Sequence, residues 1–199
     1  MLFRSEADRI DIDRTKRVLE AHGSVVSQFV DRTPPPAKQA AAKGKTAPAK
    51  STPAKTTAPV FTLVRASDLV YTEESREAHY WGGVALRRPG LTTDAKEIHA
   101  FLNDSSSDSS LNRMIADGSV KMVETSTDPK VKRTKTGLSE HAEYYAAEQK
   151  LVMERGDPRL IDSEIGTTTG CKLTWFAGND RLLNEACGGK QGESTVRKK

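Results

Sequence analysis

Residues 7–25 read ADRIDIDRTKRVLEAHGSV, and residues 66–84 read ASDLVYTEESREAHYWGGV. At one constant offset the two stretches share an alanine, two apolar residues spaced two apart, a polar four-residue break, a second alternating run and Gly-x-Val. Apolar residues at every second position predict β-strands, and a polar break between two such runs predicts a hairpin. A hairpin-sized unit that recurs predicts a protein built by stacking β-hairpins.

Alternation also predicts which side chains share a face of the sheet. With residues 13–16 as the hairpin loop, Ile10 is expected opposite Leu19 and Ile12 opposite Arg17. The second unit, with its break at residues 72–75, repeats this division into an apolar and a polar face. Such strands cover a core or line a groove. The inward-facing residues predicted in these two units include Ile10, Ile12, Leu19, Leu69, Tyr71, Val84 and Leu86, while Glu77 and His79 point away.

Three less regular units follow. The third opens at residues 94–98 and closes at residues 114–122, with an enlarged loop at 103–110. The fourth spans residues 142–156, and Pro158 makes its closing strand atypical because proline cannot donate to a strand ladder. The fifth spans residues 170–189, and its irregularity is typical of a capping repeat. The inward-facing residues predicted in these units include Ile98, Met114, Val120, Met122, Tyr145, Leu173 and Trp175.

The repeated pattern of alanine, alternating apolar pair, turn and Gly-x-Val resembles the OstA-like repeats of the LptA family of periplasmic lipopolysaccharide-transport proteins, which are related to LptC and the amino-terminal part of LptD. Residues 78–102, AHYWGGVALRRPGLTTDAKEIHAFL, and residues 143–162, EYYAAEQKLVMERGDPRLID, carry it most clearly. The resemblance covers residues 7–32 and 61–189. It implies an all-β fold of antiparallel hairpin repeats that form a semi-closed β-jellyroll, open at both ends, whose apolar interior holds lipid acyl chains.

Composition divides the chain. Residues 33–59 contain six of the nine prolines, five lysines and no acidic residue, so they cannot bury enough apolar surface to fold. The expected organisation is a first repeat at 6–32, a disordered Pro/Ala/Lys-rich linker at 33–60, the remaining repeats at 61–189 and a disordered tail at 190–199. The lysines of the linker could alternatively contact nucleic acid, anionic sugar phosphates or a membrane surface. KVKRTK at 130–135 is predicted as a solvated loop, with phosphate contact as the alternative.

Charge and hydropathy say little about a partner. The formal net charge is +4, but the five linker lysines account for it, so the repeats are nearly neutral. No apolar run approaches the ~20 residues that span a bilayer. Residues 1–12 are charged and contain no apolar signal segment. Since the resemblance implies a periplasmic location, the expectation is a carboxy-terminal fragment whose export signal and first repeats lie upstream.

Chemistry-bearing motifs are missing from the sequence. There is no nucleophile elbow, phosphate-cradling glycine loop or distinctive carboxylate pair. The four histidines are assigned to different repeats and phases without metal-ligand spacing, so neither a metal nor a cofactor is predicted. An enzyme is therefore the least supported class of function. The histidines are His22, His79, His99 and His141.

Three functions remain open. The first is an envelope transport protein that shields the acyl chains of lipopolysaccharide or a related glycolipid in its groove. The second is a structural or adhesive protein with a packed interior, and the third is nucleic-acid binding through the lysine tract. The resemblance implies other Lpt-type β-jellyroll proteins, or further copies of this chain, as partners through edge strands. The strand after Gly170, or its hairpin mate near Leu182, is the predicted edge.

Cys171 and Cys187, the two cysteines, flank a candidate hairpin whose loop is 178–180. If Asn179 is the centre of that hairpin, the cysteines oppose each other and could form a disulfide in an oxidising periplasm. A shift of one residue would place the thiols on opposite faces. Aligning Leu173 and Trp175 with the earlier repeats slightly favours the shifted register, so both states stay open.

Overall fold

The computed structural model describes residues 4–31, 60–103, 111–126, 132–188 and 193–196. Within these ranges every regular element is a β-strand, and all pair antiparallel in a fourteen-stranded sheet. No helix that could cross a membrane lies within the described ranges. Residues 33–59 of the predicted linker and 104–110 of the enlarged loop lie outside the described residues. The strands are β1 (Arg4–Glu6), β2 (Arg9–Asp13), β3 (Val18–Asp31), β4 (Val60–Thr72), β5 (Glu77–Arg88), β6 (Leu91–Leu102), β7 (Leu111–Thr125), β8 (Thr134–Tyr145), β9 (Lys150–Glu154), β10 (Arg159–Asp162), β11 (Gly166–Thr169), β12 (Lys172–Phe176), β13 (Arg181–Glu185) and β14 (Glu193–Val196).

Six long strands, β3 to β8, pair in chain order, and each runs through two arms of the sheet. The first arm consists of β2, β9, β12 and β13 together with those halves of β3 to β8 that belong to the same ladder. The second arm consists of β1, β10, β11 and β14 with the other halves. Strand β8 shows the division, because residues 141–145 pair with β9 whereas residues 135–138 pair with β10.

A kink separates the two arms in every second long strand. Each kink consists of two successive residues with positive φ, and the strand pairing shifts register there. Glycine adopts positive φ without the steric cost that other residues incur. A buried valine follows each kink, which explains why Gly-x-Val recurs in the sequence. The kinks lie at residues 23–24, 82–83 and 118–119, and the valines are Val25, Val84 and Val120.

The two glycines of the β5 kink should respond differently to alanine. Both have positive φ, so both substitutions strain the backbone. A Cβ atom at Gly82 would lie 2.5 Å from the Cβ atom of Ser67, whereas a Cβ atom at Gly83 would meet nothing within 4 Å. We expect Gly82→Ala to lower the free energy of unfolding by about 1–3 kcal/mol more than Gly83→Ala. Urea unfolding of both variants measures the difference, and equal losses would contradict close strand contact at the kink.

The hairpin turns differ from the predicted breaks by one residue. Four-residue turns at 14–17, 73–76, 146–149 and 177–180 each end in a residue with positive φ. Consequently Ile12 pairs with Leu19 and Ile10 with Ala21, so the predicted pairings of the first hairpin are wrong by two residues. A shift of two keeps every side chain on its face, because strands alternate with a period of two.

The last hairpin adopts the shifted register, in which Trp175 pairs with Leu182. Cys171 and Cys187 nevertheless form a disulfide, with Cα atoms 5.0 Å apart. The ladder between β12 and β13 ends at Glu185, so strand alternation no longer fixes the direction of Cys187. The sequence argument that this register separates the thiols is therefore wrong, because it extended the strand too far.

Two predictions about the ends of the sheet need correction. Strand β12, which follows Gly170, pairs with both β9 and β13 and is not an edge. Its hairpin mate β13 pairs only with β12 among the described strands, so the alternative near Leu182 is the edge. Residues 190–199 were predicted as a disordered tail, but Glu193–Val196 form β14 against β11. Strand pairing begins two residues before the predicted start of the first repeat, since β1 pairs with β3.

Candidate functional site

The candidate site is the inner face, which we define as the side of the sheet enclosed between the two arms. In the first arm its side chains form two rows that follow the strand pairing across ten strands. Their polar groups are the Asn184 amide, the hydroxyls of three tyrosines and the indole N–H of one tryptophan. The row next to the kink is Ile10, Ala21, Leu69, Tyr80, Ile98, Ala116, Ala142, Met153, Leu173 and Asn184. The second row is Ile12, Leu19, Tyr71, Ala78, Ala100, Met114, Tyr144, Leu151, Trp175 and Leu182.

The second arm contributes a facing row that contains no charged residue. Its polar members are small, and the Ser5 and Ser27 hydroxyls share a hydrogen bond of 2.7 Å. This pairing lowers the cost of burying the two serines, whereas the Thr93 hydroxyl of the same row is buried without a hydrogen-bond partner among the described residues. The row is Ser5, Ser27, Val64, Leu86, Thr93, Met122, Gly137, Leu160 and Thr168.

The two arms pack directly against each other. A Cβ atom added to Gly137 of the second arm would lie 2.7 Å from Sδ of Met153 in the first arm. Burial raises the pKa of Tyr80 in the first arm, and the Ser27 hydroxyl of the second arm partly offsets this. Leu69 and Ile98 are 0% exposed. In this conformation the middle of the inner face is therefore closed to water, unlike the hollow interior that the groove hypothesis expects.

Most residues predicted to line the groove lie on the inner face. Leu19 is half-buried, while Ile10 and Ile12 are 41% and 65% exposed. These two are on β2, which pairs only with β3 among the described strands, so the inner face is accessible at that edge. The buried members of the predicted set are Leu69, Tyr71, Val84, Leu86, Ile98, Met114, Val120, Met122, Leu173 and Trp175.

Tyr145 is the exception, and its predicted orientation is wrong. Ala142 is buried, so alternation places Tyr144 on the inner face and Tyr145 on the outer face. The Tyr145 hydroxyl donates to the Glu143 carboxylate, and its ring lies 4.2 Å from Nζ of Lys150. With two adjacent tyrosines, the sequence does not tell which of them faces inward.

A group of charged residues closes the inner face at the end opposite β2. Arg133 donates to both carboxylate oxygens of Asp162 on β10, with Nε–O distances of 3.1 and 3.0 Å. Arg133 also pairs with Asp180 in the β12–β13 turn at 2.6 Å, and Lys135 pairs with the same carboxylate. Because Asp162 belongs to the second arm and Asp180 to the first, these bonds join the arms. We call Arg133, Lys135, Asp162 and Asp180 the closing cluster.

Burial and ion pairing act in opposite directions on the closing cluster. Burial alone would raise the pKa of Asp162, but hydrogen bonds from Arg133 and from the backbone of Glu164 and Ile165 outweigh it and lower the pKa. Burial likewise opposes hydrogen bonds from Lys135 and Arg133 at Asp180, whose pKa is also lowered. Both carboxylates are thus held in their charged form, as a stabilising ion pair requires.

The closing cluster corrects the assignment of KVKRTK as a solvated loop. Lys135 is 8% exposed, and its Nζ lies 4.4 Å from the centre of the Trp175 ring. A lysine over a tryptophan face gains a cation–π attraction that strengthens when water is excluded. Among the described residues of this segment, Lys132 alone is exposed. One feature of the sequence indicated that Lys135 faces inward. It lies two residues before Gly137, and residues two apart in a strand share a face.

Comparison with known proteins supports the fold. No known protein family matches the chain, and no curated protein matches it either. Among solved structures, the chain is similar to the crystal structure of LptH from Pseudomonas aeruginosa, described as the LptA-homologous periplasmic component of the lipopolysaccharide transport device. The match has a TM-score of 0.60 at 11% identity and covers 69% of this chain and 95% of LptH.

The chain has an LptA-like β-jellyroll fold. This confirms the fold that the repeats predicted and, at the level of structure, the resemblance to LptA-like proteins. At 11% identity the likeness concerns the fold and not the ligand.

Proposed function

We propose that the protein binds and shields the acyl chains of lipopolysaccharide, or of a related glycolipid, between its two arms during transport through the periplasm to the outer membrane. The observation that carries this proposal is the continuity of the inner face. Two apolar rows run in register across ten strands of the first arm, from the exposed edge at β2 to the closing cluster. A surface of this length matches a long hydrocarbon chain better than a compact ligand.

Entry of a lipid requires the arms to separate, because they are in contact. Each methylene removed from water contributes about 0.8 kcal/mol. An acyl chain between the arms would replace one apolar partner of the inner-face side chains by another. These side chains would therefore stay buried when the arms separate. The hydrophobic effect has no preferred direction, which lets a chain slide along the rows without a deep minimum at one point.

The two ends of the inner face suggest a direction of loading. Ile12 at the β2 edge is 65% exposed, so a lipid can first contact the inner face there. The closing cluster joins the arms at the other end through Arg133, Asp162 and Asp180. In this proposal a lipid enters the inner face at β2 and stops at the closing cluster.

Three further observations support the proposed location and partners. LptH, whose fold this chain shares, is described as a periplasmic component of the lipopolysaccharide transport device. The Cys171–Cys187 disulfide is compatible with an oxidising compartment such as the periplasm. Strand β13 offers an unpaired edge among the described strands, to which another Lpt-type protein or a second copy could add a strand.

A structural protein with a packed interior is the second candidate. The observation that favours it is the closed inner face, since Leu69, Tyr80 and Ile98 are 0% exposed. This candidate predicts that the arms stay together and that no lipid enters.

Binding of intact and deacylated lipopolysaccharide separates these candidates. We expect the full chain to bind intact lipopolysaccharide and to lose at least 10-fold in affinity when the acyl chains are removed, because the two rows of the first arm contain no charged residue. Calorimetric titration in detergent-free buffer below the aggregation threshold measures both affinities. Equal affinity for the two ligands would assign binding to phosphate contacts, and binding of neither would favour the structural protein.

A further inference from the structure

Two histidines meet on the outer face of the first arm, which is the side opposite the inner face. His79 on β5 and His99 on β6 are directly opposed in the strand ladder. Their imidazole rings stack with centroids 4.0 Å apart and planes 9° apart. Their side chains are 31% and 27% exposed, so the sheet restricts both rings. The sequence assignment of these histidines to different phases is therefore wrong.

One carboxylate joins the two rings. Glu97 lies two residues before His99 on β6, so its side chain projects from the same face. Its Oε1 atom is 2.6 Å from Nε2 of His79 and 3.1 Å from Nε2 of His99. In a tetrahedral zinc site with bonds of 2.0–2.1 Å, neighbouring ligand atoms are about 3.3 Å apart. The ligand atoms of His79, Glu97 and His99 all lie within 4.8 Å of one another, so a bound ion would require them to draw together and the stacked rings to turn toward it.

The contact between His99 and Glu77 determines which nitrogen of His99 is available to a metal ion. Nδ1 of His99 lies 2.7 Å from Oε1 of Glu77, and an ionised carboxylate can only accept, so Nδ1 carries the proton. When His99 is neutral, Nε2 presents a lone pair toward the Glu97 oxygen 3.1 Å away, whereas a protonated His99 would donate to both carboxylates. A cation between them would relieve this repulsion. Carboxylates commonly hold the second nitrogen of metal-binding histidines in this way.

We propose that His79, Glu97 and His99 bind a divalent transition-metal ion, with Zn²⁺ as the best match, and that Glu77 is a positioning residue for His99. Two imidazoles and one carboxylate form a ligand set that zinc uses with an open fourth position. Within the described ranges, both carboxylates pair with these imidazoles and with no lysine or arginine. His141 differs, because its partner Asp117 also pairs with Arg155.

Zn²⁺ titration of the untagged full chain, stripped of metal with a chelator, tests this site. We expect one ion per chain by isothermal calorimetry and a loss of at least 10-fold in affinity in His79→Asn and in Glu97→Gln. Because Glu77 acts through His99, Glu77→Gln should weaken binding by about 10–100-fold without changing the stoichiometry. Substituting Co²⁺ provides a second readout, since its visible absorption bands report coordination by nitrogen and oxygen.

His22→Asn is the matched control, because His22 is a half-exposed histidine of the same face that pairs with Asp68 at 2.9 Å and has no opposed histidine. It should bind Zn²⁺ as the unmodified chain does. Circular dichroism verifies that each variant is folded. Unchanged affinity in folded His79→Asn, or the absence of binding in the unmodified chain, would overturn the proposal and leave a protonated His99 bonded to both carboxylates.

Discussion

Replacing Leu69 by alanine is expected to lower the free energy of unfolding by about 2–5 kcal/mol. Leu69 lies between Ala21 and Tyr80 in the row next to the kink, and none of its surface is exposed. Truncation removes buried methyl groups and leaves a cavity that the paired strands on both sides cannot fill. Urea unfolding followed by tryptophan fluorescence measures the loss.

Val70→Ala is the control for this experiment. Val70 follows Leu69 in β4, so its side chain lies on the outer face, and it is only half-buried. We expect a loss below about 1 kcal/mol there. Equal losses at the two positions would contradict the assignment of an enclosed face and an outer face to the sheet.

Arg133→Ala is expected to cost about 3 kcal/mol, because it leaves the buried carboxylate of Asp162 without its partner. The Asp162 side chain is 8% exposed, and Arg133 makes its bidentate contact. Arg133 also bonds Asp180, so the substitution removes a connection between the arms. The control is Arg155→Ala, since the Arg155 side chain is 63% exposed and its pair with Asp117 should contribute less than about 1 kcal/mol.

Acid should remove the difference in the free energy of unfolding between the unmodified chain and Arg133→Ala. The pKa values of Asp162 and Asp180 are lowered below their ordinary 3.8 in the folded protein. A lowered pKa contributes stability that is present above pH 3.8 and is lost as the pH falls through the folded-state value. The gap between the two proteins measured at pH 7 should therefore shrink below pH 3.8. A gap that stays constant down to pH 2 would show that Arg133 stabilises through packing and not through charge.

Several features of the fold could be predicted because they depend on local periodicity. The alternation around Leu69, Tyr71, Ala78 and Tyr80 has a period of two, and a two-residue error in the hairpin register leaves it intact. The Gly-x-Val repeats likewise mark a backbone requirement, since the kinks need positive φ. These signals are contained within about twenty residues and need no knowledge of distant contacts.

The other features depend on how strands are aligned over longer distances. The last residues of two turns, Arg17 and Arg76, have positive φ. Arginine is seldom found with positive φ, so the sequence did not mark these turn ends and the predicted hairpin register was wrong. The stacking of His79 on His99 follows from the β5–β6 register and is invisible in either strand alone. The closing cluster joins Arg133 to Asp180 through contacts between the arms, and sequence periodicity does not report which arm faces which.

Photo-crosslinking from the two faces of the sheet tests the central claim most directly. Leucine-sized diazirine residues at Leu69 and Val84 should capture lipopolysaccharide, because both positions lie on the inner face. The same residues at Glu77 and His79, which lie on the outer face, should not capture it. Capture confined to the inner face is the result that acyl-chain shielding predicts. Equal labelling of both faces, or labelling of the outer face alone, would contradict it.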